Sequence, residues 1–182
     1  MSFEKIETGF QGLLILKPKV FPDKRGHFFE LFSTQKLKNL GFEEEFVQEN
    51  VSHSQAGTLR GLHFQIPPFA QGKLVTVLYG KALDVVVDIR KNEPTYGKSF
   101  QIELNHQNPL LFYIPPGFAH GFAVHSEECV FYYKCTNYYH KPSEQGLAWN
   151  DPAFQIQWGV DSPVLSDKDL EYPPFADFIS PF

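Results

Sequence analysis

The chain has 182 residues, 42% hydrophobic and 20% charged, which excludes a disordered, collagen-like or coiled-coil protein and fits one folded domain expected to span 1–182. With 16 Lys and Arg against 21 Asp and Glu the net charge is −5, so neither a generic nucleic-acid partner nor an acidic membrane is expected. Aromatic side chains make up 16%, with 19 Phe and 8 Tyr, a composition suited to β structure and to a pocket walled by rings.

At the N-terminus, Glu4 and Glu7 stand where a secretion signal would be basic, and no later stretch approaches the ~18 apolar residues of a membrane span; the expected location is the cytoplasm. Runs of strand length then follow one another between turn residues: LLILKPKVF (13–21), HFFELF (27–32), FVQENVSHS (46–54), LRGLHFQI (59–66) and KLVTVLYG (73–80). ALDVVVDIR (82–90), SFQIEL (99–104), LLFYIP (110–115), GFAVHS (121–126) and CVFYYKCTNYY (129–139) continue the series. This spacing predicts an antiparallel sandwich or barrel, with a hairpin tip at Tyr79-Gly80-Lys81 and a turn at Asn105 to Pro109. One internal helix is predicted, capped by Ser33 or Thr34, carrying Leu37 and Leu40 and stopping at Gly41. Pro163, Pro173, Pro174 and Pro181 keep the stretch after Asp161 out of any central strand, so it should wrap the barrel as loops and short helical turns. Cys129 and Cys135 lie in one extended run, roughly 20 Å apart, too far for a disulfide, and are expected to be free thiols.

Two histidines stand in distinctive settings, RGLHFQ (60–65) and PPGFAHG (115–121). Together these segments resemble the two motifs of the cupin jelly-roll superfamily, whose histidines point into the barrel. The usual cupin metal site also needs a second His and a Glu in the first motif. Here Gln65 occupies the place of that His, and no Glu falls between Gln65 and Gly80, a poor ligand set that points to a metal-free cupin. Strict alternation puts Leu59, Gly61, His63 and Gln65 on one face and Arg60 on the other, while a bulge at Gly61 would bring Arg60 round. His63 alone is as compatible with a buried, hydrogen-bonded histidine as with a functional one, and Lys73 alone reads as a snorkelling surface lysine.

RGLHFQ (60–65), GKLVTVLYG (72–80), DVVVDIRKNEPTYGK (84–98), IPPGFAHGF (114–122), YYKCTNYY (132–139) and LAWNDP (147–152) closely resemble the dTDP-4-dehydrorhamnose 3,5-epimerase family. The likeness runs from Phe21 to about Leu170. It implies an all-β cupin-type jelly roll, without cofactor or metal, that inverts C3 and C5 of a dTDP-4-keto-6-deoxy-hexose and acts as a homodimer with exchanged N-terminal segments. The implied layout is N-terminal strands, exchange segment and short helix over 1–50, the barrel over 51–140 and a wrapping segment over 141–182.

The resemblance also implies roles. His63 matches the general base, Asp169 in SDKD the carboxylate that orients it, Lys73 the cation beside the C4 carbonyl and Tyr133 the acid on the opposite face of the sugar. Arg60 matches a diphosphate ligand, Tyr139 the ring stacked on thymine, and His120, Gln48, Asn50, Glu144 and Lys168 further substrate contacts. FPDKRGHFFELF (21–32) matches the exchanged segment, whose Arg25 and Glu30 reach the partner's site. The competing readings are a single-centre epimerase with the same parts, a metal-dependent cupin such as an oxygenase, and a non-catalytic sugar-nucleotide binding module. His27, His53, His106, His125 and His140 are expected in surface or structural roles.

Overall fold

A computed structural model describes residues 3–182, so the first two residues of the expected N-terminal segment lie outside it. In chain order the strands are β1 Phe3–Glu7, β2 Leu14–Pro18, β3 Val20–Asp23, β4 Gly26–Phe29, β5 Gln48–Gln55, β6 Leu59–Gln65 and β7 Lys73–Tyr79. They continue as β8 Lys81–Asp88, β9 Ser99–Asn105, β10 Leu111–Ile114, β11 Phe118–Val124, β12 Glu128–Cys135 and β13 Glu144–Gly146. Six of them pair in the order β1-β2-β10-β7-β12-β5, and five in the order β13-β6-β11-β8-β9, every ladder antiparallel. The two sheets face each other as a jelly-roll sandwich, and β3 with β4 forms a separate two-stranded ribbon.

The central strands, β8 and β11 above all, are apolar on both faces because both faces are covered. Between the sheets lie Val75, Val77, Ala82, Val86, Phe112, Phe118, Phe122 and Phe131. Outside the five-stranded sheet, Leu59, Leu62, Phe64, Val85 and Val87 pack under Leu147, Phe154 and Trp158 of the C-terminal segment. Outside the six-stranded sheet, Leu14, Leu16, Leu74 and Leu111 pack under Leu37 and Phe42. Leu37 is the buried residue of the expected helix, α1 (Thr34–Lys38), whose N-cap Ser33 accepts a hydrogen bond from the Lys36 N–H. The chain then turns at Gly41, in the left-handed region at φ +84.

The C-terminal segment wraps the five-stranded sheet with 3-10 turns at Pro152–Phe154 and Phe175–Asp177 and the short helix α2 (Asp167–Leu170). Ser180 ties its end to the sheet by donating to the Ile89 carbonyl. Both cysteines are buried and free. No helix among the described residues is long and apolar enough to cross a membrane.

Three expectations are corrected. Tyr79-Gly80-Lys81 is not a hairpin tip: β7 pairs with β10 and β12 while β8 pairs with β9 and β11, so the turn carries the chain from one sheet to the other. Several runs are also shorter as strands than as apolar sequence: LLILKPKVF breaks at Lys19, HFFELF leaves its strand after Phe29, and CVFYYKCTNYY leaves the sheet after Cys135. Finally, β1 and β13 are strands that periodicity did not single out; each sits at a sheet edge and is held chiefly by its one neighbour.

Candidate active site

The site begins with an irregularity in β6. His120 of β11 opposes His63, but Phe122 opposes Arg60, so two steps of β11 answer three of β6. This is a bulge at Gly61 and Leu62, and strict alternation therefore fails: Leu59 joins the outer apolar cluster, while Arg60 turns inward to share a cavity with His63. Glycine is required on both strands there. A Cβ on Gly61 would lie 2.5 Å from the Gly121 Cα, and one on Gly121 would lie 2.7 Å from the Arg60 carbonyl oxygen.

A cavity of about 230 Å³ opens inside the bulge, walled by Arg60 and His63 of β6, Lys73 of β7, His120 of β11, Tyr133 of β12 and, from the C-terminal segment, Lys168 and Asp169. An adjoining cavity of about 110 Å³ shares His63, Lys73 and Tyr133 with it and adds Gln48, Asn50, Tyr139 and Glu144. Eleven of the thirteen residues expected at the site thus line one continuous region. Arg25 and Glu30 do not. Arg25 pairs with Asp23 at 2.6 Å on the β3–β4 ribbon, and Glu30 pairs with Lys36 at 2.5 Å. A larger groove of about 780 Å³ beside β1 and β2 holds none of the thirteen.

His63 Nε2 lies 2.5 Å from Asp169 Oδ1 across 106 residues of sequence. Ser166, the N-cap of α2, donates from Oγ to Asp169 Oδ2 at 2.8 Å, so both carboxylate oxygens are engaged. Burial alone would raise the Asp169 carboxyl; the hydrogen bonds from His63 and Ser166 outweigh it and hold Asp169 below the ordinary carboxylate range. The edge of the Tyr172 ring, 5.5 Å from His63 between centroids, backs the imidazole. Gly146 makes room for that ring, since a Cβ there would sit 2.5 Å from Tyr172. With Nε2 committed, Nδ1 of His63 is the ring nitrogen open to the cavity.

Burial pushes the Lys73 ammonium below the usual lysine value, against the opposing influence of Cys135, Asp84 and Glu144. Tyr133 is raised by burial, with Arg60 working against the shift, and so keeps its phenolic proton at neutral pH. His120 Nε2 lies 2.9 Å from Asp84 Oδ2. Toward the second cavity, Glu144 accepts from Tyr139 at 2.9 Å and from Lys168 at 2.8 Å, and the Tyr139 N–H donates to Gln48 at 2.8 Å.

Gln65 is engaged by protein on every side. Its amide donates to the carbonyls of Phe69 at 2.6 Å and Tyr138 at 3.2 Å and accepts from the His140 N–H at 2.7 Å. Among the described residues no cluster of three or more His, Cys, Asp or Glu side chains is arranged to hold a metal ion. The remaining histidines take surface or supporting places, such as His53 paired with Glu128 and His140 stacked on Phe69.

Sequence reasoning missed Ser166, Tyr172 and Asp84. Asp84 left a legible signal, a carboxylate inside the apolar run ALDVVVDI at the parity of Ala82 and Val86, which face the space between the sheets. Ser166 and Tyr172 left none, because nothing local tells which side of a wrapping loop meets the barrel.

A family model described as dTDP-4-dehydrorhamnose 3,5-epimerase matches residues 7–177. An enzyme of that name from Shigella flexneri is 47% identical over 173 residues, covering 94% of this chain and 96% of the relative. A second, from Methanothermobacter thermautotrophicus, is 44% identical, covering 97% and 96%. Among solved structures, a dTDP-6-deoxy-D-glucose-3,5-epimerase from Legionella pneumophila in complex with dTDP-4-keto-L-rhamnose superposes with a TM-score of 0.92 at 42% identity, over 97% of this chain and 95% of the other. A 3'-monoepimerase from Streptomyces bikiniensis in complex with dTDP-quinovose has the same fold at TM-score 0.87 and 29% identity, over 93% and 86%.

Proposed function

The chain belongs to the dTDP-4-dehydrorhamnose 3,5-epimerase family, and we propose how its cavity divides the labour of that reaction. The protein is an isomerase that converts dTDP-4-dehydro-6-deoxy-D-glucose to dTDP-4-dehydro-L-rhamnose by inverting C3 and C5. Both carbons flank the C4 ketone, so losing a proton from either leaves an enolate with its negative charge on O4, and one set of groups can serve both.

The observation that carries the assignment is the pair of His63, on one sheet, with Asp169 of the wrapping segment at 2.5 Å, sharing a cavity with Tyr133 of the facing sheet. Nδ1 of His63 takes the proton from the sugar carbon, and Asp169 stabilises the imidazolium that forms. Lys73 stabilises the enolate oxygen. Tyr133, a proton-bearing phenol, donates to the opposite face of the carbon, leaving a phenolate that Arg60 and Lys73 stabilise until it is reprotonated. Proton NMR of the substrate in deuterated water tests this reading: deuterium should enter at C3 and C5 with inversion at both. Exchange and inversion at one carbon only would mark a single-centre epimerase, and exchange at neither would reject the assignment.

The nucleotide occupies the other end. Arg60, turned inward by the bulge and donating to Ser54 at 3.2 Å, is placed to grip the diphosphate, with His120 on the sugar. Tyr139 stacks on thymine, and Gln48, Asn50, Glu144 and Lys168 complete the contacts. Arg60→Ala should weaken dTDP binding by roughly 1.5–3 kcal/mol, on the order of 10- to 100-fold, with little effect on thymidine. Calorimetry that shows equal losses for both ligands would make Arg60 a support of the fold instead.

Arg25 and Glu30 belong to this reading only through a second copy. The β3–β4 ribbon leaves Phe21 49% and Phe28 69% exposed, more apolar surface than a lone two-stranded ribbon holds stably in water, which supports its exchange into a partner subunit. If Arg25 serves the partner's cavity, a co-expressed mixture of Arg25→Ala and His63→Asn chains assembles one intact site in each mixed dimer. Activity should then return at roughly a quarter of the sites. Activity no higher than the average of the two separate variants would show that each chain uses its own Arg25.

A further inference from the structure

Asp84 is a fully buried carboxylate that the division of labour above leaves without a role. Alternation along β8 turns Ala82, Asp84 and Val86 toward the space between the sheets, where Ala82 and Val86 belong to the apolar cluster. A carboxylate in such a place is costly unless it is paired. Here the pairing is one-sided: Oδ2 meets His120 Nε2 at 2.9 Å, while Oδ1 is enclosed by protein with no hydrogen-bond partner. The other ring nitrogen of His120, Nδ1, also lacks a protein partner but is not enclosed; it opens onto the cavity that His120 lines.

Charge decides where the proton sits. Facing His120 are Asp84 from β8, Lys73 from β7 and His63 from β6; facing Lys73 are Cys135 from β12, Asp84, Glu144 from β13 and Lys168 from α2. Burial pushes the Asp84 carboxyl above the ordinary carboxylate range, opposed by His120 and Lys73; with Lys73 protonated, an ionised Asp84 and a neutral His120 sum to zero. Protonating either Asp84 or His120 would leave an uncompensated positive charge in a buried space. Burial, opposed by Asp84, also holds His120 below the ordinary histidine value, which keeps the ring neutral at neutral pH.

We propose that Asp84 is a positioning residue for the epimerisation: as a carboxylate it accepts the Nε2–H of His120, so that the imidazole presents the Nδ1 lone pair to a ring hydroxyl of the bound sugar. The proposal rests on the reading of this cavity as the sugar site. Its consequence is alignment. An acceptor at Nδ1 holds a hydroxyl by its proton, in one rotamer, and so fixes the ring with its C–H bonds facing His63. A proton at Nδ1 would meet the hydroxyl oxygen instead and leave the sugar free to turn.

The test is the tautomer itself, read by long-range proton–nitrogen NMR of the full-length wild-type protein with ¹⁵N-labelled histidine, the His120 signal assigned by its loss in His120→Gln. A neutral ring with its proton on Nε2 is expected. A proton on Nδ1, or on both nitrogens, overturns the proposal, and this holds whether or not any variant folds. In Asp84→Asn, which keeps the shape and can either donate or accept, the Nε2–H preference should be lost. Turnover should fall about 10- to 100-fold, by analogy with removal of the partner that orients a metal-bound imidazole. Binding of dTDP should stay within about twofold. A residue that only supports the fold would lower the melting temperature while leaving turnover per folded site and the His120 signal unchanged, and that result also overturns the proposal. If the wild-type protein incorporates no deuterium into substrate, the parent reading fails whatever the tautomer; if it does and Nδ1 carries the proton, only the role of Asp84 fails.

Discussion

His63→Asn should reduce turnover by roughly 10²–10⁴-fold, the contribution typical of a positioned general base, while affinity for dTDP stays within about tenfold. The choice of Asn follows from Asp169. That carboxylate is buried and accepts from His63 and from Ser166. Truncation to Ala would leave one of its oxygens without a donor, and any loss of activity would be confounded with the cost of an unpaired buried charge. The Asn amide fills much of the same space and can donate to Asp169 from its NH₂ group. What it cannot do is accept a proton from carbon at neutral pH. Calorimetry with dTDP and a melting curve establish that the site and the fold persist, and proton NMR in deuterated water then asks whether the carbon acids still exchange. They should not, at either carbon, because one base is assigned to both. Preserved turnover in a folded His63→Asn protein would remove His63 from the chemistry and leave its bond to Asp169 as a structural tie between the barrel and its wrapping segment.

That tie also marks where the sequence is readable and where it is not. The sandwich is legible because it is covered on both faces: Val85 packs outward under the C-terminal segment and Val86 inward, so strands such as β8 appear as unbroken apolar runs bounded by turns. Which strands pair is not written in those runs, and Gly80 shows why. The same tight, left-handed turn suits a hairpin or a crossing between sheets, and its close approach to the Glu128 carbonyl, 2.1 Å from a Cβ built on it, is set by β12, nearly fifty residues away. The bulge at Gly61 was one of two readings of RGLHFQ, and the choice between them depends on Gly121 in the facing strand. His63 stands out in its own motif, whereas Lys73 and Tyr133, ordinary as a lysine opening a strand and an aromatic within one, are assigned through the resemblance of the motifs that contain them. The pairing of Asp169 with His63 came only from resemblance, since a carboxylate in an exposed-looking SDKD has no local feature that buries it. It is buried because Phe178 and Phe182 pack on Phe64, next to His63, and Ser180 pins the segment to Ile89. Arg25 and Glu30 mark the opposite limit: one folded chain leaves them in local ion pairs, and only the proposed exchange with a second copy would bring them to a cavity.

Tyr133→Phe should separate the two halves of the reaction. The hydroxyl of Tyr133 bonds to no described residue, while its ring packs beside Phe131 with centroids 6.3 Å apart, so removing the oxygen leaves the packing and orphans no partner. In the proposed division of labour proton removal is untouched: Asp169 still holds Nε2 of His63, so Nδ1 would still accept the proton, with Lys73 in the same cavity to stabilise the oxygen that gains charge. The enolate therefore forms. What is missing is a donor on the far face, so the proton held by His63 returns to the face it left and the carbon keeps its configuration. While it resides on the imidazole that proton can exchange with solvent, and in deuterated water the variant should place deuterium at C3 or C5 of unepimerised substrate. Exchange should persist while inversion falls by roughly 10²–10⁴-fold, the same range that a positioned acid contributes. A Tyr133 that served only as a core aromatic would change both processes together or neither. Normal inversion by the folded variant would reject it as the acid and point to water or to another phenol such as Tyr139, which lines the adjoining cavity.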